Sequence, residues 1–355
     1  MHSSFSTLNI ILPVGISFYT FHGLSYVIDI YYNKIKPEKN VADYSLFVSF
    51  FPLLVAGPIE RATHLLPQLK ENREFNYAKT VDGLQQILWG LFKKVVIADN
   101  CASYANALFN EQGYHSGSSL VLGAIFFSFQ IYCDFSGYSD IALGTARLFG
   151  IELLKNFSFP YFSRDIAEFW RRWHISLSSW FKDYLYIPLG GSKGNQFHVI
   201  KNTFIIFLVS GLWHGANWTF LVWGFLNAIY FLPLLIFNLN RKNIDIVAEN
   251  SFLPSGIDFF KIVLTFSVVT IAWIFFRANS VSFALQYIKN IFNTSLFSMP
   301  QNFPFTTFFL LLFFVILEWI SRKGVHPFQQ LKYIKLLPVR WFIYYAVVFS
   351  ILMFS

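Results

Sequence analysis

Long apolar stretches recur along this chain of 355 residues and constrain its fold more than any other feature. The clearest cover residues 203–218, 219–237, 259–276, 304–320 and 341–354, and less regular ones cover 8–30, 44–56 and 120–132. A helix needs about 20 mostly apolar residues to cross a bilayer. Only 13% of the residues are charged, against about 25% in soluble domains. We therefore predict an all-α polytopic membrane protein with about eight to ten membrane segments, packed as one domain over residues 1–355.

Proline and glycine interrupt several of these stretches. The breaks fall at Pro13 and Gly15, at Pro52, Gly57 and Pro58, and at residues 113–117. Broken helices at membrane depth are tolerated only where protein surrounds them, so we expect re-entrant segments. Residues 82–98 and 169–186 carry polar side chains at helical spacing. This pattern favours interfacial or cavity-lining helices.

The net charge of +8 does not indicate nucleic acid binding, because the basic residues lie in short loops between apolar stretches. By the positive-inside tendency, four connections belong to the cytoplasmic side: residues 34–39, 164–201, 241–242 and 322–340. The two cysteines, Cys101 and Cys133, cannot make a disulfide framework, and no Cys/His spacing predicts a metal site. We expect no removable signal peptide, because no basic region followed by an apolar run and a small-residue cleavage site begins the sequence.

His214 lies in the sequence Gly-Leu-Trp-His-Gly, within an apolar stretch. An ionisable side chain at membrane depth is costly, so one that persists usually faces a packed interior or a wet cavity. Gly211 and Gly215, four residues apart, favour close backbone approach on one helical face, and Ser210 lies on the same face. The alternative is a histidine that bonds to a carbonyl in a helix interface.

His174 follows Arg171 and Arg172, and Glu168 can pair with both arginines at helical spacing. The fork geometry of guanidinium suits the phosphates of a coenzyme or carrier group, so we predict that the two arginines bind the phosphate of such a group. Anchoring at the membrane surface explains each arginine equally well. For His174 the alternative is an interfacial histidine bonded to water.

Residues 134–140 place two carboxylates at a predicted break between two apolar helices, with Ser136 or Ser139 as an N-cap. We favour capping and interhelical hydrogen bonding here over the lining of a polar tunnel. The other six histidines are predicted to contact water or headgroups: His2, His22, His64, His115, His198 and His326.

Familiar catalytic motifs are absent from the sequence. No GxSxG, GxxxxGK[ST], HExxH or GxGxxG pattern occurs, so serine hydrolase, nucleotide-driven, zinc protease and Rossmann chemistry lack a signature. A histidine in a hydrophobic tunnel remains. A neutral imidazole there can take a proton from an alcohol as it attacks an activated acyl group.

Five segments resemble the membrane-bound O-acyltransferase (MBOAT) family, in its alginate O-acetyltransferase-like branch. They are residues 13–31, 47–61, 134–150, 156–193 and 202–218. The motifs WRRWHIS at 170–176 and GLWHGA at 211–216 are specific to this branch, and residues 134–218 form the catalytic signature region.

The resemblance implies a ring of helices around a transmembrane acyl-transfer tunnel. It identifies His214 as the active histidine and His174 as the second signature histidine. It also implies a cytoplasmic donor, acetyl-CoA or another acyl thioester, with no permanently bound cofactor. The acyl group would leave toward a periplasmic or extracellular SGNH-like acetyltransferase partner that modifies an exported polysaccharide. We expect the chain in the bacterial cytoplasmic (inner) membrane.

Members of this branch carry further apolar helices ahead of the segment that resembles residues 13–31, whereas this chain reaches it almost at once. We expect truncation or a late start to explain this difference. The leading hypothesis is O-acetyl transfer to an exported, alginate-like polysaccharide. D-alanyl transfer and peptidoglycan O-acylation are alternatives. A non-catalytic transporter or scaffold comes last, because the clear spans hold few carboxylates, with Glu318 near a segment end.

Overall fold

The computed structural model describes residues 15–110 and 115–355. The predicted break at Pro13, the start of the stretch 8–30, His2 and part of the break at 113–117 lie outside the described residues. The described part of the chain is helical and contains no strand, which confirms the all-α prediction.

The α-helices follow in chain order as α1 Ile16–Tyr31, α2 Val41–Ser49, α3 Ala62–Lys70, α4 Tyr77–Leu91, α5 Asp99–Asn110, α6 Gly117–Leu148, α7 Ile166–Arg172, α8 Ile175–Phe181, α9 Gln196–His214, α10 Trp218–Ile236, α11 Gly256–Arg277, α12 Val281–Ile291, α13 Phe305–Ser321 and α14 Leu337–Phe354. Two π-helical turns extend α4 and α8, at Phe92–Ala98 and Lys182–Tyr186.

Four helices of the described chain are long and apolar enough to cross a membrane: α6, α10, α11 and α14. This number is below the predicted eight to ten. Several predicted stretches form helices that are too short or too polar; α13, for example, has 17 residues. The stretch 44–56 is interrupted by a 3-10 turn at Phe51–Leu53 that contains Pro52.

The longest helix, α6, forms the centre of the bundle and packs along α4. Glycines allow this contact, because a Cβ at Gly83 would lie 2.8 Å from the Gly144 carbonyl oxygen and one at Gly90 would lie 2.5 Å from that of Gly137. Residues 134–140 continue this helix without a break. The prediction of two helices joined at Asp134–Asp140 was therefore wrong, and Ser136 and Ser139 are not N-caps.

The reversal between α9 and α10 holds His214 at a helix end. Gly215 is the C-cap of α9, and the side chain of Asn217 accepts a hydrogen bond from the Thr219 N–H to begin α10. A Cβ at Gly211 would overlap the backbone carbonyl of Phe220 on α10. The predicted close backbone approach is confirmed at Gly211, but Gly215 lies outside the helix.

Candidate active site

His174 occupies a strained turn between α7 and α8. Its φ of 44° and ψ of 53° lie in the left-handed region, which costs a residue other than glycine about 1–3 kcal/mol. The turn persists because its neighbours hold it: the Ile175 N–H donates to the Asn156 carbonyl at 2.9 Å. His174 is only 3% exposed. The alternative of an interfacial histidine bonded to water is therefore wrong.

The His174 ring is enclosed by aromatic and amide groups. A hydrogen bond of 3.0 Å joins its Nδ1 to Oδ1 of Asn156. The Phe135 ring meets it edge-on, with centroids 4.6 Å apart. Its Nε2 is buried and has no hydrogen-bond partner among the described residues. The ring is thus anchored at one nitrogen only.

His214 is the last residue of α9 and is partly buried. Its neighbours are aromatic: the ring centroids of Trp213, Phe276 and Trp223 lie 4.6, 4.9 and 5.3 Å from that of the imidazole. Such an apolar surrounding disfavours an imidazolium and favours the neutral ring that a base requires.

Trp213 brings the two histidines together. Its indole lies 4.6 Å from the His214 ring and 6.3 Å from the His174 ring, measured between centroids. His174 lies between α7 and α8, whereas Trp213 and His214 end α9, so the fold assembles this arrangement. Two imidazoles close to one indole are candidate groups for proton transfer.

Arg171 and Arg172 lie at the end of α7 and bind the loop after α10. Arg171 donates to the carbonyls of Asn240 and Asn243 at 2.8 and 2.6 Å. Arg172 donates to the Glu168 carboxylate at 2.8 Å. The predicted pair of Glu168 with Arg172 is present, whereas Arg171 uses the loop carbonyls instead.

The second partner of Glu168 is Arg164, at 3.1 Å. Arg164 also donates to the Asp245 carboxylate at 2.9 Å, and this hydrogen bond lowers the pKa of that carboxyl below its ordinary value. Arginines in and just before α7 therefore hold the loop after α10 by charge as well as by backbone contacts.

A small cavity with several polar walls is lined by Asn156, the hydrogen-bond partner of His174. It measures about 20 Å³, which is room for one water molecule. Its polar walls include Lys93, Ser136, Ser139, Asp140, Asn156 and Glu318. Residues 134–140 thus line a polar space, which is the interpretation that the sequence analysis placed second. The prediction that residues 82–98 line a cavity is confirmed by Lys93.

Two of the six other histidines contradict the prediction that they contact water or headgroups. His22 is 1% exposed, and its Nε2 accepts from the Glu60 N–H. His326 is fully buried and bonds to Asp82. A partly exposed carboxylate, Asp82, and a backbone N–H, both distant in sequence, supply the hydrogen bonds that allow these rings to be enclosed.

Sequence reasoning missed Asn156 and Lys93. Both are buried polar residues that bond across helices. Asn156 begins the segment 156–193, and Lys93 lies within the stretch 82–98. Their burial and their partners arise only in the fold, so the sequence alone carried no signal that identifies them.

A protein family and several known proteins are similar in sequence to this chain. Residues 36–269 match the membrane-bound O-acyltransferase family. The probable alginate O-acetylase AlgI of Pseudomonas aeruginosa is 38% identical over 297 residues, which cover 84% of this chain and 55% of that protein. The peptidoglycan O-acetyltransferase of Helicobacter pylori is 39% identical over 315 residues, covering 81% and 58%.

A more distant relative is the teichoic acid D-alanyltransferase of Bacillus subtilis, 26% identical over 281 residues, which cover 76% of this chain and 70% of that protein. The chain spans little more than half the length of the two O-acetylating relatives, 55% and 58%.

Proposed function

Since this chain belongs to the membrane-bound O-acyltransferase family, we propose that it transfers acetyl groups in the bacterial inner membrane. The donor is a cytoplasmic thioester, and the final acceptors are hydroxyls of an exported, alginate-like polysaccharide. The observation that carries this proposal is the arrangement of His174 and His214 about Trp213.

The chemistry requires one base. The hydroxyl in this step is the one that takes the acetyl group from the donor, before the group is passed on to the polymer. Its oxygen attacks the thioester carbonyl carbon, the C–O bond forms and the C–S bond breaks. His214 accepts the hydroxyl proton and returns it to the departing thiolate, so the step is balanced without another reactant. Aromatic surroundings keep the imidazole neutral for this role. His174 orients or stabilises the reacting groups.

Donor binding is proposed at the cytoplasmic end of α7. Acetyl-CoA carries phosphates that suit bidentate contacts with Arg171 and Arg172. Both guanidiniums bind the loop of residues 240–245, so a donor would exchange these loop contacts for phosphate contacts. This exchange would couple donor binding to movement of the loop.

The proposed polymer and the proposed partner protein are inferred from the names of relatives. Several are called alginate O-acetylases, and acetyl transfer across the membrane then needs an extracytoplasmic protein that passes acetyl to the polymer. We propose an SGNH-like acetyltransferase in the periplasm or outside the cell as that partner.

Peptidoglycan O-acetylation is the second candidate, because the peptidoglycan O-acetyltransferase shares 39% identity with this chain. It keeps the same acetyl chemistry and changes the polymer only. The identity of 26% to a D-alanyltransferase gives D-alanyl transfer less support.

The test measures ester-linked acetate released by mild alkali from extracellular polysaccharide and from peptidoglycan. A strain lacking the gene is complemented with wild type, His214→Ala, His174→Ala or His198→Gln, each quantified in the membrane. His198 lies at the other end of α9, where it bonds to the Leu189 carbonyl, and serves as the matched control.

We expect wild type and His198→Gln to restore acetate on the polysaccharide, and His214→Ala to restore none. Acetate confined to peptidoglycan would select the second candidate. Full acetylation by His214→Ala at normal membrane level would remove the proposed base, and the proposal with it.

A further inference from the structure

We infer that Asn156 is a positioning residue that fixes the tautomer of His174, with the proton on Nδ1 and an unprotonated Nε2 inside the site. The role of that Nε2 in acyl transfer rests on the proposed function. The tautomer itself does not, because it follows from hydrogen bonds among described residues.

The orientation of the Asn156 amide is set by its neighbours. The Ser176 N–H can only donate, and it lies 3.4 Å from Oδ1 of Asn156, while the Ser176 hydroxyl donates to the same oxygen at 3.0 Å. On the other side, Nδ2 donates to the Ser139 hydroxyl at 3.2 Å. A flipped amide would place its NH2 group against the Ser176 N–H, two donors facing each other.

The Ser176 hydroxyl is itself held in this direction. It accepts from the Ile59 N–H at 2.9 Å, so its own proton is free to point at Asn156. The hydrogen bonds among these four segments of the chain are therefore all satisfied by one orientation of the Asn156 amide and the Ser176 hydroxyl.

With the amide oxygen facing His174, the imidazole nitrogen bonded to it must be the donor. An amide oxygen has no proton to give, so Nδ1 carries the hydrogen across the 3.0 Å bond. In the neutral ring the lone pair then belongs to Nε2. Among the described residues, that buried atom has no hydrogen-bond partner, as a nitrogen reserved for substrate would be.

Asn156 also holds the backbone at the same point. Its carbonyl accepts the Ile175 N–H at 2.9 Å, which stabilises the left-handed turn at His174. Side chain and main chain of one residue thus set both the place of the ring and its rotation. The asparagine is 1% exposed, so these hydrogen bonds lie in the protein interior.

The first test is independent of catalysis. Protein with 15N-labelled histidine is reconstituted in lipid bilayers, and solid-state NMR reads the protonation of each ring nitrogen, with His174→Gln used to identify the His174 signals. We expect a protonated Nδ1 and an unprotonated Nε2 in wild type, and a mixture of tautomers in Asn156→Ala. The opposite tautomer in wild type would overturn the inference.

The second test measures acetyl transfer. Asn156→Ala is expected to lower kcat about 10- to 100-fold, because a displaced imidazole loses its alignment. Asn156→Asp keeps an acceptor for Nδ1 and adds a negative charge, so it should recover part of the rate and shift the acidic limb of the pH–rate profile to higher pH.

Asn202→Ala is the matched control, since Asn202 is equally buried but donates to the carbonyls of Leu189 and Gly191. Equal losses in Asn156→Ala and Asn202→Ala, with no shift of the pH profile in Asn156→Asp, would reduce Asn156 to a structural residue. If wild type lacks acetyl transfer while NMR shows the expected tautomer, the proposed function fails and the positioning role stands.

Discussion

Nζ of Lys93 lies 2.9 Å from Oδ2 of Asp140 inside the helical bundle, where both side chains are largely shielded from solvent. Lys93 also lies 3.6 Å from the Glu318 carboxylate, which accepts a hydrogen bond of 2.6 Å from Tyr132. One lysine therefore balances two carboxylates from different helices. This pairing ties the π-helical turn after α4 to α6 and α13.

Removal of this cation should be the most destabilising single change in the bundle. Lys93→Met leaves two carboxylates without a counter-charge, and breaking a buried ion pair costs about 3–5 kcal/mol. We expect a clear fall in the midpoint of thermal unfolding, followed by tryptophan fluorescence in detergent. The double variant Lys93→Met/Asp140→Leu should recover part of the loss, because one of the two uncompensated charges is gone.

The neighbouring lysine provides the control. Lys94 pairs with Asp99 and Asp134, but its side chain is 44% exposed, and exposed pairs contribute at most about 1 kcal/mol. Lys94→Met should therefore shift the unfolding midpoint far less. Equal shifts for the two variants would show that Lys93 does not act through burial.

A second prediction concerns the contact between α9 and α10 near His214. Gly211→Ala places a methyl group against the Phe220 carbonyl, and overpacking of this kind costs about 1–3 kcal/mol. Because α9 ends at His214, a displacement of α9 by the added methyl group should also move this histidine and reduce acetyl transfer. Gly23→Ala is the contrast, since a Cβ at Gly23 meets nothing within 4 Å. It should leave activity unchanged and raise stability by about 0.5–1 kcal/mol.

A third prediction concerns pH. The hydrogen bond between His64 Nδ1 and the buried Glu60 carboxylate, 2.7 Å long, raises the pKa of His64 above its ordinary value of 6.5. A raised pKa means that the stabilisation is complete below pH 6.5 and is lost as pH rises through the higher value. His64 is 39% exposed, so after screening the effect is less than about 1 kcal/mol.

Thermal unfolding of wild type and His64→Gln from pH 5.5 to 9 tests this sign. The advantage of wild type should be largest at the acidic end and should shrink toward alkaline pH. A gap that grows with pH would contradict the assigned pair.

Local composition was enough to predict most of the helices. The stretches at 219–237, 259–276 and 304–320 became α10, α11 and α13, because apolar length is a property of each segment alone. The break at 134–140 could not be judged in this way. The helix continues here because the space beside Gly137 is used by the Gly90 carbonyl of α4, a contact that the sequence of α6 does not contain.

The candidate site was likewise predicted only in part. His174 and His214 were identified from the sequence because they lie beside apolar stretches, but the residues that hold them lie elsewhere in the chain. Asn156 precedes His174 by 18 positions, and both irregular chain and the helix α7 lie between them, so no helical or strand period relates the two. Such partners become visible only when the fold brings the segments together.

The final prediction tests the proposed donor site at Arg171. In an acetyl-transfer assay, Arg171→Ala should raise the KM for acetyl-CoA about 10- to 100-fold with little change in kcat, since a charge-assisted hydrogen bond contributes about 1.5–3 kcal/mol. The complication is that Arg171 also anchors the loop through Asn240 and Asn243. Loss of that anchor alone could weaken donor binding.

Arg322→Ala separates the two effects. Arg322 donates to the carbonyls of Val247, Ala248 and Ser251, so it anchors the same loop from outside the motif. If Arg171 binds phosphate, only Arg171→Ala should lose its penalty when the donor is acetyl-dephospho-CoA, which lacks one phosphate. A penalty that is equal for both donors and both variants would assign Arg171 to loop anchoring, because a guanidinium that contacts no donor phosphate cannot sense its removal.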